Sequence, residues 1–441
     1  MISSRKWGIR MASTSVATAL LLGLFILLLL IKVPVAFALA ISTFITAGYL
    51  DIPAMVVTQQ MVRSVSSFSL VAIPFFIVMG EILGRGGISD KLVAMADVLV
   101  GRVRGGLAMV NVMDSMFFGG ISGSAVADVS SLGAIVIPMM EKAGYDKDFS
   151  VSMTIASSVQ GILIPPSHNM IIYSVAAGGL SVGKLFLGGL LPGIFLGLML
   201  MVLGYAISVK RNYPKGKKYT FKEGIKILAD SFLGLFTIVI IMGGVGAGWF
   251  TATESAAIAT VWAFFISFFV YRSLKIKHLK PILASSLRTL ALVLALIATS
   301  GGFAWMMAYL RVPALITDAL IGITDNKIVI LLIVNGILLF LGMIMDMAPL
   351  ILITTPILLP VVTRVGMDPV QFGVIMMLNL GIGLLTPPVG SVLFVGSSIG
   401  KISIEELSRG MIPFYIVMII TLIVLTFVPQ ITLWLPTVLG L

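Results

Sequence analysis

The 441-residue chain has no cysteine, two histidines and only 11% charged residues. Without thiols there are no disulfides, zinc ribbons or iron–sulfur sites. Two histidines are too few for a multi-histidine metal centre or a haem relay. A soluble domain carries about 25% charged residues, whereas this chain is 59% hydrophobic with a mean hydropathy of +1.14. That balance excludes a soluble enzyme, a coiled coil and a disordered chain. Strand-like alternation of apolar and polar residues is also missing, which excludes an outer-membrane barrel. No paired-glycine nucleotide loop leading to Lys-Ser/Thr occurs, and no acid, base or metal set is clustered, so the chain is not expected to be an enzyme. What remains is an all-α polytopic membrane protein.

Long apolar runs are abundant: 17–50, 70–83, 150–177, 185–209, 232–250, 256–271, 290–310, 328–345, 350–362, 374–399 and 412–433. A spanning helix needs about 20 apolar residues, and several runs fall short or are broken by Gly and Pro. The formal charge of +11 sits mostly in short loops, which suggests membrane orientation rather than nucleic-acid binding. Lys210, Arg211, Lys215, Lys217, Lys218 and Lys222 form one basic loop; Arg272, Lys275, Lys277 and Lys280 form another. Two spans separate them, so both are expected in the cytoplasm. Arg85, Lys91, Arg102 and Arg104 then fall inside as well, while 311–327 and the C-terminus fall outside. Arg5, Lys6 and Arg10 precede the first run without a small-residue cleavage site, so no cleavable signal is expected. The first run fits either one long span or two short ones meeting at Lys32-Val33-Pro34.

The chain repeats itself. A shift of 222 residues superposes Pro138 on Pro360, Gly144 on Gly366, Asp146 on Asp368, Gly161 on Gly383, Pro165 on Pro387 and Pro166 on Pro388. A shift of 228 matches Ile88-Ser-Asp-Lys-Leu92 with Ile316-Thr-Asp-Ala-Leu320. With the orientation above, the first unit opens on a span running inward and the second on one running outward. The repeats are therefore expected to be inverted, an arrangement in which one site can face either side. Residues 88–105 and 313–326 are expected to be interfacial arms.

Three segments carry the chemistry. Gly119-Gly-Ile-Ser122-Gly-Ser124-Ala-Val-Ala-Asp128 is too rich in small residues for a comfortable span. It fits a re-entrant hairpin whose tip offers carbonyls and hydroxyls to an ion such as sodium, or close helix packing through small residues. Asp128 is costly at membrane depth and is expected to face a polar interior. Ser157-Ser158-Val-Gln-Gly161-Ile-Leu-Ile-Pro165-Pro166-Ser167-His168-Asn169 fits a helix broken in mid-membrane, or a kinked one. Ser167 and Asn169 could cap its second half; His168 could bind substrate, relay a proton or only hydrogen-bond at the break. Asn379-Leu-Gly-Ile-Gly383-Leu-Leu-Thr386-Pro387-Pro388-Val-Gly390 repeats the device, and Met345-Asp346-Met347-Ala348-Pro349 would head a second hairpin, with Asp346 placed like Asp128. Matching breaks in two halves point to a transporter site. Glu254 in Thr251-Ala-Thr-Glu254 is expected to start a helix as an N3 carboxylate, with Trp249 and Phe250 as interface anchors.

Residues 119–128, Ile164-Pro-Pro-Ser167, 379–390 with Leu393-Phe394, Pro356-Ile-Leu-Leu-Pro360 and Gly366-Met-Asp-Pro-Val-Gln-Phe-Gly373 together resemble the large membrane subunit of TRAP (tripartite ATP-independent periplasmic) transporters, over nearly the whole chain. The resemblance implies a sodium-coupled, elevator-type importer of organic anions in the bacterial cytoplasmic membrane. It implies two partners, a small four-helix membrane subunit and a periplasmic substrate-binding protein, and no cofactor beyond Na+. By carry-over, sodium sites should lie near Ser122, Ser124, Ser158 and Gly161 in one repeat, and near Asp346, Gly383, Thr386 and Pro388 in the other. Ser167, His168, Asn169, Asp128, Asn379 and Gly390 are the candidates for substrate binding. His168-Asn169 departs from the hydrophobic residue many members carry after Pro-Pro-Ser, which leaves a C4-dicarboxylate, a sialic acid or a sugar acid open as substrate.

The expected organisation is N-terminal scaffold spans over 1–87, a first repeat over 88–209, cytoplasmic loops and two scaffold spans over 210–283, and a second repeat over 284–441. The alternative function is a stand-alone sodium/anion symporter of related architecture. A channel or a membrane-embedded enzyme is a third and more distant class.

Overall fold

The computed structural model describes the backbone of residues 2–440 and the side chains of residues 14–440 other than Leu320, Ile321 and Ile323. Every element among them is helical, and β pairing is confined to one isolated bridge between Arg104 and Lys215. Among the described residues, six helices are long and apolar enough to cross a membrane: Phe68–Arg85, Val182–Lys210, Phe221–Gly246, Ala252–Val270, Ile276–Tyr309 and Met347–Arg364. A seventh path runs through Ile404–Gly410 and Ile412–Phe427, bent by 52°.

The first apolar run is two helices, Ile2–Leu30 and Val35–Tyr49, parted before Pro34. The run is thus divided at the expected point into two helices, neither of them among the six above; the side chains of Arg5, Lys6 and Arg10 lie outside the described residues. The pair packs with Ala54–Val65 on the far end of the Leu279–Tyr309 helix, around Leu21, Phe25, Leu39, Phe303 and Met306. Thr220–Glu223 and Thr251–Glu254 start the next two spans as capping boxes. In the second, the Thr251 amide donates to Glu254 Oε2 at 2.8 Å and the Glu254 amide donates to Thr251 Oγ1 at 3.2 Å, as expected of an N3 carboxylate.

Both halves then run through one series: an arm helix, a helical hairpin and a broken helix. In the first these are Ile88–Val100, then Gly106–Ser122 returning through Ala125–Ser131 and Gly133–Lys142, then Lys147–Ser158 and Gln160–Leu163 parted from His168–Ala176. In the second they are Val312–Ile323, then Lys327–Gly342 returning through Met347–Arg364, then Pro369–Gly383 parted from Ser391–Gly400. The peptide bonds Pro165–Pro166 and Pro387–Pro388, both cis, sit in the two gaps. The helices are thus interrupted, not merely kinked.

The hairpins enter from opposite ends of the bundle. The 29-residue helix Val182–Lys210, about 43 Å long, serves as a ruler. At its end, Arg211 donates to Asp146 Oδ2 and Asp148 Oδ1, both at 2.9 Å, fastening the base of the first hairpin. Near its start, Gly188 lies against Val370, at the base of the second. Arg102 and Arg104 bond to Tyr219 and Asn212, and Lys91 stacks over Tyr271, so these cations gather with both basic loops at one end. At the opposite end, Lys327 donates to the Gly366 carbonyl and Arg364 pairs with Asp318.

Candidate functional site

Small residues let each hairpin press onto its own broken helix. A Cβ on Gly119 would stand 2.4 Å from Gly161 Cα, and one on Gly383 would stand 2.6 Å from Gly342 Cα, so side chains are excluded at both crossings. Polar clamps sit one to three turns away. Ser157 Oγ donates to Asn111 Oδ1 at 3.2 Å in the first half; Asn379 Nδ2 donates to Asn335 Oδ1 at 2.8 Å in the second. These pairs satisfy buried groups and fix register.

The first tip is Ser122-Gly123-Ser124. Gly123 has φ +62°, and a Cβ there would meet the Pro166 carbonyl oxygen at 2.7 Å, so only glycine fits between tip and break. The Ser124 amide donates to Ser122 Oγ at 3.4 Å, and Ser124 Oγ accepts from the Ala127 amide at 3.4 Å. At the second tip the Val389 amide donates to the Met343 carbonyl at 3.1 Å, joining that tip to the second break. Asp346 is exposed at this tip. Across the halves, Ser391–Gly400 packs on Ala125–Ser131 and Met347–Arg364 packs on His168–Ala176, so each hairpin also meets the broken helix of the other half.

A cavity of about 430 Å³ opens beside the first tip and the first break, and no described residue of the second tip or second break lines it. Ser122, Ser124 and His168 line one wall; Phe76, Glu81, Arg85 and Thr289 line the other. A larger recess of about 580 Å³ lies at the bundle end between Asp148, Arg211, Glu405 and Arg409. Its charges already pair with one another, and it touches neither tip, so the smaller cavity is the candidate site.

The other candidate residues are placed as follows. Ser158 and Gly161 are fully buried beside the first hairpin, and Ser158 Oγ donates to the Ile155 carbonyl at 2.7 Å. Gly383 lies at the second crossing, Thr386 Oγ1 donates to the Ile382 carbonyl at 2.8 Å, and Pro388 and Val389 are exposed. Gly390, φ +35°, starts Ser391–Gly400. Asn169 is buried behind His168. Asp128 and Asn379 face the interior and not the cavity. Ser167 stands at the N-cap of His168–Ala176 but makes no side-chain capping bond, which corrects the capping role expected of it; its hydroxyl is buried without a partner among the described residues.

Asp114 is a residue that sequence reasoning missed. It is fully buried in Gly106–Ser122, and both of its carboxylate oxygens lack a hydrogen-bond partner among the described residues. The signal was available, since Asp114 is the only acid within that apolar helix.

Residues 22–431 match the family model of the tripartite ATP-independent periplasmic transporter, DctM component. The chain is 40% identical over 378 residues to the sialic acid TRAP transporter large permease protein SiaM of Vibrio cholerae, covering 86% of this chain and 88% of that protein. It is 40% identical over 419 residues to the isethionate TRAP transporter permease protein DctMQ of Oleidesulfovibrio alaskensis, covering 94% of this chain and 65% of that protein. The crystal structure of the Alcanivorax borkumensis YdaH transporter superposes with a TM-score of 0.61 over 83% of this chain and 86% of that one. At 13% identity, that likeness is one of fold. With helices that can cross a membrane many times and relatives that are transport permeases matched nearly end to end, the chain belongs to the DctM family, the large permease component of tripartite ATP-independent periplasmic transporters.

Proposed function

We propose that the chain is the large permease of a sodium-driven, binding-protein-dependent importer of an organic acid anion in the bacterial cytoplasmic membrane. The observation that carries this reading is a hairpin tip set against a helix break in each of two oppositely inserted halves, with a cavity beside the first of them. Helix C-terminal ends attract cations and N-terminal ends attract anions. Lys147–Ser158 with Gln160–Leu163, and Pro369–Gly383, bring carbonyl ends to the breaks; His168–Ala176 and Ser391–Gly400 bring amide ends. Sodium prefers hard oxygen ligands. Those near Ser122, Ser124, Ser158 and Gly161 form one site, and those near Asp346, Gly383, Thr386 and Pro388 the other. The anion is then held over Ser167, His168, Asn169 and Gly390, while Asp128 and Asn379 act from behind by fixing the hairpin and the broken helix.

In this reading the hairpins re-enter the membrane without crossing it, and they slide with the broken helices past a scaffold of the remaining spans. The names of relatives support an anionic cargo, since sialic acid and isethionate both carry a negative charge; a sugar acid or a C4-dicarboxylate would satisfy the same pocket. The length of DctMQ beyond the match supports a small membrane subunit as one partner, and a periplasmic binding protein is the other.

Uptake into proteoliposomes tests the reading. Labelled sialic acid and succinate should each be assayed with the permease, the small subunit and the binding protein together. Uptake of one of them should require an inward sodium gradient and all three components. Uptake that persists undiminished without the gradient overturns sodium coupling, and uptake without the binding protein shows a stand-alone symporter.

A further inference from the structure

The cavity holds Arg85 as the only Lys or Arg among the described residues that line it. Arg85 is the last residue of the helix Ala72–Arg85, which packs against both the first hairpin and the Leu279–Tyr309 helix. Its Nε donates to Glu81 Oε2 at 2.9 Å. The other Glu81 oxygen, Oε1, accepts from Ser285 Oγ at 2.7 Å. Glu81 is therefore held between two helices and in turn holds Arg85 by one edge of its guanidinium. The terminal nitrogens, Nη1 and Nη2, are left for another partner, and the side chain is 46% exposed. A planar guanidinium fixed at Nε presents a fork that suits the two oxygens of a carboxylate.

We propose that Arg85 is a substrate-contacting residue that receives the negatively charged group of the transported anion in this cavity, with Glu81 and Ser285 as its positioning residues. This rests on the reading that the chain carries an organic anion. The facing wall supplies the Ser122 and Ser124 hydroxyls and His168, so the anion bridges the first hairpin tip and the scaffold helix. Arg85 stands at the same end as Lys91 and the basic loops. It thus offers the cargo a cationic partner opposite the first hairpin tip, at the end of the bundle that carries the basic loops.

The test is uptake by the three-component proteoliposomes, with sialic acid or succinate as probe, comparing wild type with Arg85→Gln, Arg85→Lys, Glu81→Gln and the double variant Glu81→Gln/Arg85→Gln. Removing a charge-assisted contact should raise KM about tenfold or more, with the amount of permease in the vesicles unchanged. Arg85→Lys should recover part of the loss, since charge remains and the fork is gone. The double variant should be no worse than Arg85→Gln alone, because a residue that acts through Arg85 has nothing left to position. A KM within about twofold of wild type in Arg85→Gln, below what losing a charged contact costs, overturns the proposal. So do losses that simply add in the double variant. If Arg85→Gln does not insert, an unchanged KM in Arg85→Lys overturns it equally. Wild-type vesicles that take up neither of these anions, nor isethionate or a sugar acid, overturn the transport reading and this inference with it; uptake that is indifferent to Arg85 overturns this inference alone.

Discussion

Four glycines set how closely each hairpin approaches its broken helix, and they are not equivalent. A Cβ on Gly383 would press on Gly342 at 2.5–2.8 Å, and one on Gly119 would reach Gly161 at 2.4 Å, whereas Cβ atoms on Gly161 and Gly342 would find their neighbours at 3.2 and 3.1 Å. Gly119→Ala and Gly383→Ala should each lower stability by about 1–3 kcal/mol, and Gly161→Ala and Gly342→Ala by less. Thermal denaturation in detergent gives the ranking. At the bundle end, hydrogen bonds from Arg211 hold the Asp148 carboxyl below its ordinary 3.8. A lowered folded-state value stabilises above the unfolded pKa and is lost as pH falls through the folded one. Asp148→Asn should therefore cost up to about 1 kcal/mol at neutral pH, the pair being partly in water, and the difference from wild type should vanish as pH drops well below 4. At this scale the sequence was uneven. Ser122, Ser124 and His168, which line the cavity, were legible because polar residues stand out in apolar runs. Asn111, Asn335 and Arg85 were not, because their roles depend on a partner at least 40 residues away, or on one edge of a guanidinium being occupied.

The helix breaks were legible as elements, since a proline pair withdraws two amide donors and bars the preceding residue from the helical region. The difference between them was not. Residues 164–167 at the first break are buried, while Pro387, Pro388 and Val389 at the second are exposed. Spacing repeats faithfully, but exposure depends on which neighbour covers a break. The cysteine-free chain allows a direct check. A single cysteine at Val389→Cys should react with a water-soluble maleimide at least about tenfold faster than one at Ser167→Cys, because only an accessible thiolate attacks. Equal rates would show that the two breaks are covered alike.

For the molecule as a whole, the two basic loops anticipated the inverted arrangement, because cationic side chains stay where water is and report a side. The first apolar run stayed ambiguous because its one charge, Lys32, is buried by one long span and left at the turn by two short ones, and a single charge does not bar a span. In inverted vesicles or spheroplasts, Lys215→Cys and Lys277→Cys should label from the same face, and Asp325→Cys from the other. Labelling of all three from one face would contradict the opposed hairpins.

The halves are also interlaced. Tyr173 Oη, past the first break, donates to the Pro369 carbonyl at 2.6 Å, and Lys147, before it, donates to the Lys401 carbonyl at 3.0 Å. Gly396 and Gly400 lie against Ile155 and Val151. The early half consequently waits on the ribosome: until the segment around Lys401 has emerged, Lys147 lacks its carbonyl partner and Val151 and Ile155 lack their cover, and the nascent chain must be sheltered by the insertion machinery. A message truncated between the halves should yield a product cleared by quality-control proteases, whereas the two halves made as separate polypeptides in one cell should rescue each other.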